Sequence, residues 1–164
     1  MSTLPPAEAV LAVNDVDVHY GGSRILRDVS LSITQGSIAA IMGRNGVGKT
    51  TLLKTIMGLV PSSKGQVLYA NQDITRLAPD RRARLGLGYV PQGREIFPRL
   101  TVLENLQVGL QARDDGRTDI PEEVYELFPV LEQMQERLGG NLSGGQQQQL
   151  AIARALVGDP TVLL

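Results

Sequence analysis

The sequence predicts an α/β fold, because a strand, a glycine-rich turn and a helix follow one another directly. The nearly continuous apolar run of residues 37–42 is typical of a strand that is buried on both faces. A helix is predicted from Lys49, since apolar residues recur at three- and four-residue spacings until Gly58 and Pro61 end it. A mainly helical stretch over residues 93–141 completes the α/β pattern.

Two antiparallel strands are predicted before this unit. Apolar and polar residues alternate over residues 11–20, with an interruption at residues 14–15. The two glycines at 21–22 turn the chain, and the alternation continues over residues 25–33. Residues 1–10 contain two prolines and no basic segment, so we expect a disordered N-terminal tail rather than a signal peptide.

Shorter elements are predicted after the helix. Residues 66–70 and 87–90 read as strands, and residues 79–85 as a short helix between them. The last residues, 161–164, open a further apolar strand.

Capping signals divide the helical stretch. Thr101 and Glu104 form a capping box, which predicts a helix from there to about residue 112. A polar loop over residues 113–119 follows. Pro121 suits a first helical position, and Pro129 is expected to break or restart that helix.

Composition limits the function classes. The chain has 164 residues, which is room for one domain with a core, and its net charge of −1 gives no nucleic-acid-binding footprint. The absence of cysteine excludes disulfides, a cysteine-based metal site and a thiol nucleophile. No apolar run approaches the ~18 residues that span a bilayer, so we expect any membrane association to run through partners.

The segment Gly43–Thr50 fits the pattern Gly-x-x-x-x-Gly-Lys-[Ser/Thr], a P-loop. Its glycines let backbone N–H groups approach phosphate oxygens, Lys49 is expected to reach the β- and γ-phosphates, and the Thr50 hydroxyl is expected to bind Mg²⁺. The alternative is a glycine-rich turn without a ligand. The candidate nucleotide-binding residues are Gly43, Arg44, Asn45, Gly46, Val47, Gly48, Lys49, Thr50 and Thr51.

A second motif lies at Leu142, Ser143, Gly144, Gly145 and Gln146. Ser143 and Gln146 form a capping box, so this could be only a well-capped helix start. Capping does not require the two glycines, however, and glycines just inside a helix are unfavourable. They favour an interpretation in which the helix N-terminus approaches an anion closely.

In this order the two motifs resemble the ATP-binding subunit of an ABC (ATP-binding cassette) transporter, and the resemblance covers residues 11–164. It implies a P-loop NTPase (RecA-like) core with an antiparallel β subdomain, and a helical subdomain made of the insertion 93–141 and a signature helix over residues 142–157. The implied cofactors are ATP and Mg²⁺.

Two single residues also match the family. Tyr20 matches the aromatic that stacks on adenine, although a core tyrosine is the alternative. Gln92 matches the Q-loop glutamine, which contacts Mg²⁺ or the attacking water and links nucleotide state to the helical subdomain, with an ordinary polar strand end as the alternative.

The resemblance also implies partners. In the family the signature residues close over the γ-phosphate bound to an opposing subunit, so a head-to-tail dimer with a second ATP-binding subunit, expected to be a paralogue, is implied. Transmembrane permease subunits and, indirectly, a solute-binding protein are implied as well, and nucleic acid is not. The implied location is peripheral, on the cytoplasmic face of the bacterial inner membrane.

Finer features indicate a branch of the family. Residues 91–102 and 104–106 resemble importers of branched-chain amino acids and urea. Residues 128–131 and 146–156, with four consecutive glutamines, favour the urea member. The alternative is a branched-chain amino acid importer.

The resemblance places the catalytic glutamate and the switch histidine after the strand that residues 160–164 open. We therefore expect the intact subunit to hydrolyse ATP and to couple hydrolysis to transport. The 164 residues are expected to be a truncated part that ends before those groups, and to be inactive in hydrolysis. A non-hydrolysing nucleotide-binding fragment is the alternative class. A P-loop kinase or GTPase would lack the signature, and a soluble cassette protein would show two cassettes or a coiled coil.

Arginines are frequent between residues 76 and 99. Their ordinary interpretation is a solvated helix face, and the sharper one is a site near anionic lipid or a permease coupling helix. The single histidine, His19, is expected to be structural.

Overall fold

The computed structural model describes residues 9–164, which form two compact units that divide between Arg82 and Ala83. Residues 1–8 of the predicted disordered tail lie outside the described residues. The prediction is wrong for Ala9 and Val10, because these two residues open the first strand, in which Ala9 pairs with Thr34 of the second.

The first unit contains a four-stranded antiparallel sheet in the order β2-β1-β3-β4. Its strands are β1 (Ala9–Tyr20), β2 (Ser23–Thr34), β3 (Lys64–Tyr69) and β4 (Gln72–Asp73). The central position of β1 follows from its buried apolar residues Leu11, Val13, Val16 and Val18. The predicted interruption at residues 14–15 is an irregularity in the register, where Asp15 has a φ of 48° while the strand continues.

Helix α1 (Lys49–Ile56) begins and ends where the sequence predicts. Leu52 and Ile56 are buried, as the three- and four-residue spacing requires. Gly58 follows with a φ of 80°, the left-handed conformation that commonly ends a helix.

The predicted strand before the glycine-rich turn is wrong. In the described part of the chain residues 37–42 form no strand, and Ile38 and Met42 are 101% and 88% exposed. An apolar run expresses a preference for burial, but a strand also needs hydrogen-bonded neighbours, and the β1–β4 ladders do not include this segment. The apolar run is therefore exposed and outside any strand.

Helices outnumber strands in the second unit, and between residues 93 and 141 they are separated by loops. The six-residue helix α2 (Pro79–Arg84) crosses the division between the units. The other helices are α3 (Val102–Leu110), α4 (Glu122–Leu127), α5 (Pro129–Gln133) and α6 (Gly144–Leu156), with a 3₁₀ turn at Gly139–Asn141. Two short strands, β5 (Leu87–Gly88) and β6 (Val162–Leu163), pair in parallel.

Helices α3 and α6 pack closely around one apolar core. The core residues are Val102, Leu106, Leu110, Val124, Leu131, Leu142, Leu150, Ala153 and Val157. Gly109 is at the crossing, where a Cβ atom would overlap the Arg154 carbonyl and the Val157 side chain. Among residues 9–164, no helix is long and apolar enough to cross a membrane.

Candidate nucleotide-binding site

The glycine-rich loop before α1 adopts backbone conformations that only glycine takes readily. Gly43, Gly46 and Gly48 have φ values of 155°, 80° and 102°. A Cβ atom on Gly48 would lie 2.7 Å from Leu26 Cδ2 on β2, so a side chain there would require Leu26 to shift. At these three glycine positions the loop therefore presents backbone rather than a side chain.

The start of α1 is left open. No side chain caps α1 at Gly48, so the first-turn N–H groups have no partner within the helix. Helices α3 and α6 differ, since each begins with a complete capping box. Unpaired N–H groups and the positive end of a helix dipole together suit an anion.

Lys49 supplies the positive charge of the loop. Its Nζ donates to the carbonyl oxygens of Gly43 at 2.7 Å and Arg44 at 2.8 Å. The half-buried Lys49 side chain thus lies across the loop. Negatively charged oxygens of a ligand would compete with the two carbonyl oxygens for its ammonium group.

The other loop residues differ in exposure. Arg44, Asn45 and Val47 are exposed, as is Thr50, whose hydroxyl oxygen is the donor type that Mg²⁺ accepts. Thr51 is only 9% exposed, so its predicted contribution would come from its backbone N–H rather than its side chain.

Tyr20 lies at the end of β1 beside the turn into β2, and 49% of it is exposed. This exposure disagrees with the alternative of a core tyrosine. Val18, two residues earlier, pairs with Leu26, the residue that Gly48 closely approaches. The β1–β2 hairpin therefore carries Tyr20 at the same part of the sheet that supports the loop.

His19 has the structural role expected for it. Its Nδ1 lies 2.9 Å from Ser63 Oγ, and Ser63 Oγ in turn donates to the Asp17 carbonyl. The same region holds a charge cluster, in which Arg24 binds both Asp17 oxygens and Lys64 binds Asp28. These hydrogen bonds hold the pKa values of the Asp17 and Asp28 carboxyls below their ordinary range.

The arginine-rich stretch is not one solvated face. Arg82 is only 3% exposed and donates to the carbonyl oxygens of Leu77, Thr55, Ile56 and Thr75. Two of these carbonyls belong to the last turn of α1, where a cation is favoured by the helix dipole. Arg82 therefore anchors the far end of the helix that begins at the glycine-rich loop.

In the second unit, Gln92 is exposed in a turn that follows β5. The preceding Val90 donates its N–H to the Leu164 carbonyl at 2.9 Å, which extends the β5–β6 pairing toward the turn. The predicted strand 87–90 is limited to Leu87–Gly88, and Gln92 lies in the turn four residues beyond its end.

The second motif begins α6 as predicted. Ser143 Oγ accepts from the Gln146 N–H at 3.3 Å, and the Gln146 side chain accepts from the Ser143 N–H at 2.9 Å. Ser143, Gly144 and Gly145 are exposed. Leu142 is 6% exposed and belongs to the apolar core, so it anchors the motif and does not face a ligand.

Sequence reasoning missed the polar residues that shape the loop before α3. Asn105 is fully buried, accepts from the Phe97 N–H, and donates to the carbonyls of Phe97, Leu100 and Thr101. A polar residue among the apolar positions of a capped helix is the signal that could have identified it.

Comparison with known proteins gives a consistent assignment. The ABC transporter family model matches residues 26–164. The lipopolysaccharide export system ATP-binding protein LptB of Escherichia coli K12 is 39% identical over 160 residues, which are 95% of this chain and 66% of LptB. The high-affinity branched-chain amino acid transport ATP-binding protein BraG of Pseudomonas aeruginosa is 39% identical over 157 residues, 94% of this chain and 67% of BraG.

Solved structures agree with this match. The dimeric ATP-binding cassette MJ0796, bound to ADP and Pi, has a TM-score of 0.81 at 30% identity over 93% of this chain and 72% of that chain. The ADP conformation of the cassette MJ1267 has a TM-score of 0.75 at 30% identity over 96% of this chain and 68% of that chain. The chain spans 66% of the length of LptB, just under two thirds, and a similar share of the others.

Proposed function

Since the chain belongs to the ABC transporter family of ATP-binding proteins and has the fold of its ATPase cassettes, we propose that it binds Mg-ATP at the loop Gly43–Thr50. The observation that carries the proposal is the uncapped start of α1 behind a left-handed Gly48. A phosphate placed there would accept hydrogen bonds from the first-turn N–H groups.

Individual residues would have different roles in binding Mg-ATP. The Lys49 Nζ donates to the Gly43 and Arg44 carbonyl oxygens at 2.7 and 2.8 Å. When ATP binds, it would donate instead to phosphate oxygens, which carry more negative charge. Thr50 would offer its hydroxyl to Mg²⁺, which neutralises phosphate charge when bound. Tyr20, exposed at the hairpin end, would stack on the adenine ring.

Hydrolysis is proposed for the complete subunit, since this family hydrolyses ATP. Gln92 would contact Mg²⁺ or orient the attacking water from the turn after β5.

The signature would act on a second ATP-binding subunit. Ser143, Gly144 and Gly145 are exposed at the start of α6. Apart from adjacent residues and the backbone of its own helix, nothing in residues 9–164 lies within 4 Å of a Cβ placed on Gly145. That clearance would let the γ-phosphate held by the partner approach the helix N-terminus. The dimeric state of the MJ0796 cassette supports the proposal of a second subunit. From the family resemblance we further propose permease subunits as partners, at the cytoplasmic face of the bacterial inner membrane.

We propose import of a small polar solute, for which two candidates have separate support. The residues 91–102 and 146–156 favour urea. The identity to BraG favours a branched-chain amino acid. LptB is equally identical, so overall identity does not discriminate among transported molecules.

Two experiments test these proposals. Titration of the full chain with a fluorescent ATP analogue should saturate, and unlabelled MgATP should displace the analogue, whereas a full chain that binds no nucleotide contradicts the proposal. Deletion of the gene, followed by uptake of labelled urea and labelled leucine, should reduce uptake of one solute only. Complementation by the Ser143→Arg variant should not restore that uptake.

A further inference from the structure

The loop of residues 91–97, here termed the Gln92 loop, has an unusual backbone conformation. Arg94 and Glu95 are consecutive non-glycine residues with φ values of 65° and 48°. Side chains disfavour this left-handed region, so the conformation persists only where neighbouring groups hold it. The contacts of the loop therefore identify what holds it.

Asn105 of α3 binds the N–H and carbonyl of Phe97, and Arg154 of α6 contacts the two left-handed residues. Its Nη2 donates to the Glu95 carbonyl at 2.8 Å and to the Arg94 carbonyl at 3.5 Å, the carbonyls of the two left-handed residues. Its guanidinium also lies 5.1 Å from the centre of the Phe97 ring, within range of a cation–π interaction. One side chain thus contacts three of the last four residues of the loop.

A second contact connects the loop to the beginning of the same helix. Arg94 Nη1 donates to Gln147 Oε1 at 3.2 Å. The Arg94 guanidinium also covers Gly144, where a Cβ atom would lie 3.4 Å from Nη2. The Gln92 loop is therefore attached to α6 at its first turn and again near its end.

We propose that Arg154 is a positioning residue, which fastens the Gln92 loop to α6 so that Gln92 and the exposed Ser143–Gly145 segment move together. The chemistry of the contact suits this role better than a purely stabilising one. Within residues 9–164, Arg154 Nη1 is buried without a hydrogen-bond partner, and burying an incompletely paired cation opposes folding. An apolar residue would fill the site without this penalty but could not hold two carbonyls.

The test is hydrogen–deuterium exchange of the full chain without nucleotide, comparing Arg154→Met with the matched control Arg137→Met. Arg137 also lies in the second unit and is exposed. In Arg154→Met, amide exchange of the peptide 92–97 should become roughly tenfold faster or more, while the peptide 102–110 stays protected. Arg154→Lys should restore only part of the protection, because an ammonium lacks the planar fork.

Unchanged exchange at 92–97 in folded Arg154→Met would overturn the inference. If that variant does not fold, Phe97→Leu, which removes the ring and leaves the arginine, should raise exchange at 92–97, and unchanged exchange there would equally overturn the inference.

A second experiment rests on the proposed function and adds MgATP. MgATP should slow exchange of the peptide 43–50 in both the unmodified chain and Arg154→Met. If it slows exchange of the peptide 143–147 only in the unmodified chain, Arg154 links the Gln92 loop to the Ser143–Gly145 segment. No response at 43–50 in the unmodified chain counts against ATP binding, whereas equal responses at 143–147 count against Arg154.

Discussion

Replacing Arg82 tests how the helix behind the glycine-rich loop is held. Arg82→Met keeps most of the apolar stem and removes all four hydrogen bonds to carbonyl oxygens. The Thr55 carbonyl also accepts from the Gly58 N–H at 3.0 Å, so three carbonyls, those of Leu77, Ile56 and Thr75, lose the donor described here.

The magnitude follows from those three carbonyls. A buried acceptor without a donor costs about 1–3 kcal/mol, and relief from burying a cation offsets part of the sum. We expect the free energy of unfolding to fall by about 2–4 kcal/mol, which lowers Tm by roughly 5–15 °C for a chain of this size.

Urea denaturation followed by circular dichroism measures the change, with Arg81→Met as the matched control. Arg81 is the neighbouring residue on α2 and is exposed, so its loss should change stability by less than about 0.5 kcal/mol. Equal midpoints for the two variants would refute the assignment of Arg82 as an anchor.

Three further results are expected. Tyr20→Ala should weaken ATP binding roughly 2- to 10-fold, since an aromatic stacking contact contributes about 0.5–1.5 kcal/mol. Ser143→Arg should leave the ATP affinity of the subunit unchanged and abolish nucleotide-dependent dimerisation, measured by light scattering. Asp17, whose pKa is lowered by Arg24, contributes stability above pH ~4 that is lost as the pH falls through its folded-state pKa, so Asp17→Asn should flatten the decline of stability between about pH 6 and pH 3.

Each of these results has a control. Tyr20→Phe should bind ATP like the unmodified chain, and loss of binding there would point to the hydroxyl rather than the ring. Weaker ATP binding by monomeric Ser143→Arg would contradict a role of the signature on the partner's nucleotide. If stability depends on pH in the same way in the unmodified chain and in Asp17→Asn, the ion pair with Arg24 does not contribute to the pH dependence of stability.

Local signals in the sequence predicted most helix starts, although α4 begins at Glu122, one residue after the predicted first position Pro121. The capping boxes at Thr101 and Ser143 are present, and α5 restarts at Pro129, because these preferences involve residues within one turn. The P-loop is also a local signal, since Gly43, Gly46 and Gly48 are required by their own backbone angles.

Properties that depend on distant partners were not predictable. The 37–42 run has the composition of a buried strand, yet composition does not specify the neighbours that a strand requires. Arg82 resembles its exposed neighbours in sequence, and only the folded chain brings four carbonyls around it. Leu142 likewise belongs to the signature pattern while its side chain belongs to the core.

The central claim is that the uncapped start of α1, with Lys49, holds the phosphates of ATP. The most direct measurement is the Kd for MgATP of the full chain, of Lys49→Ala and of Arg44→Ala, an exposed cation of the same loop. Loss of a charge-assisted contact of about 1.5–3 kcal/mol should raise the Kd of Lys49→Ala roughly 10- to 150-fold, with a much smaller change for Arg44→Ala. Folded Lys49→Ala with an unchanged Kd, or with a loss no greater than that of Arg44→Ala, would contradict the claim.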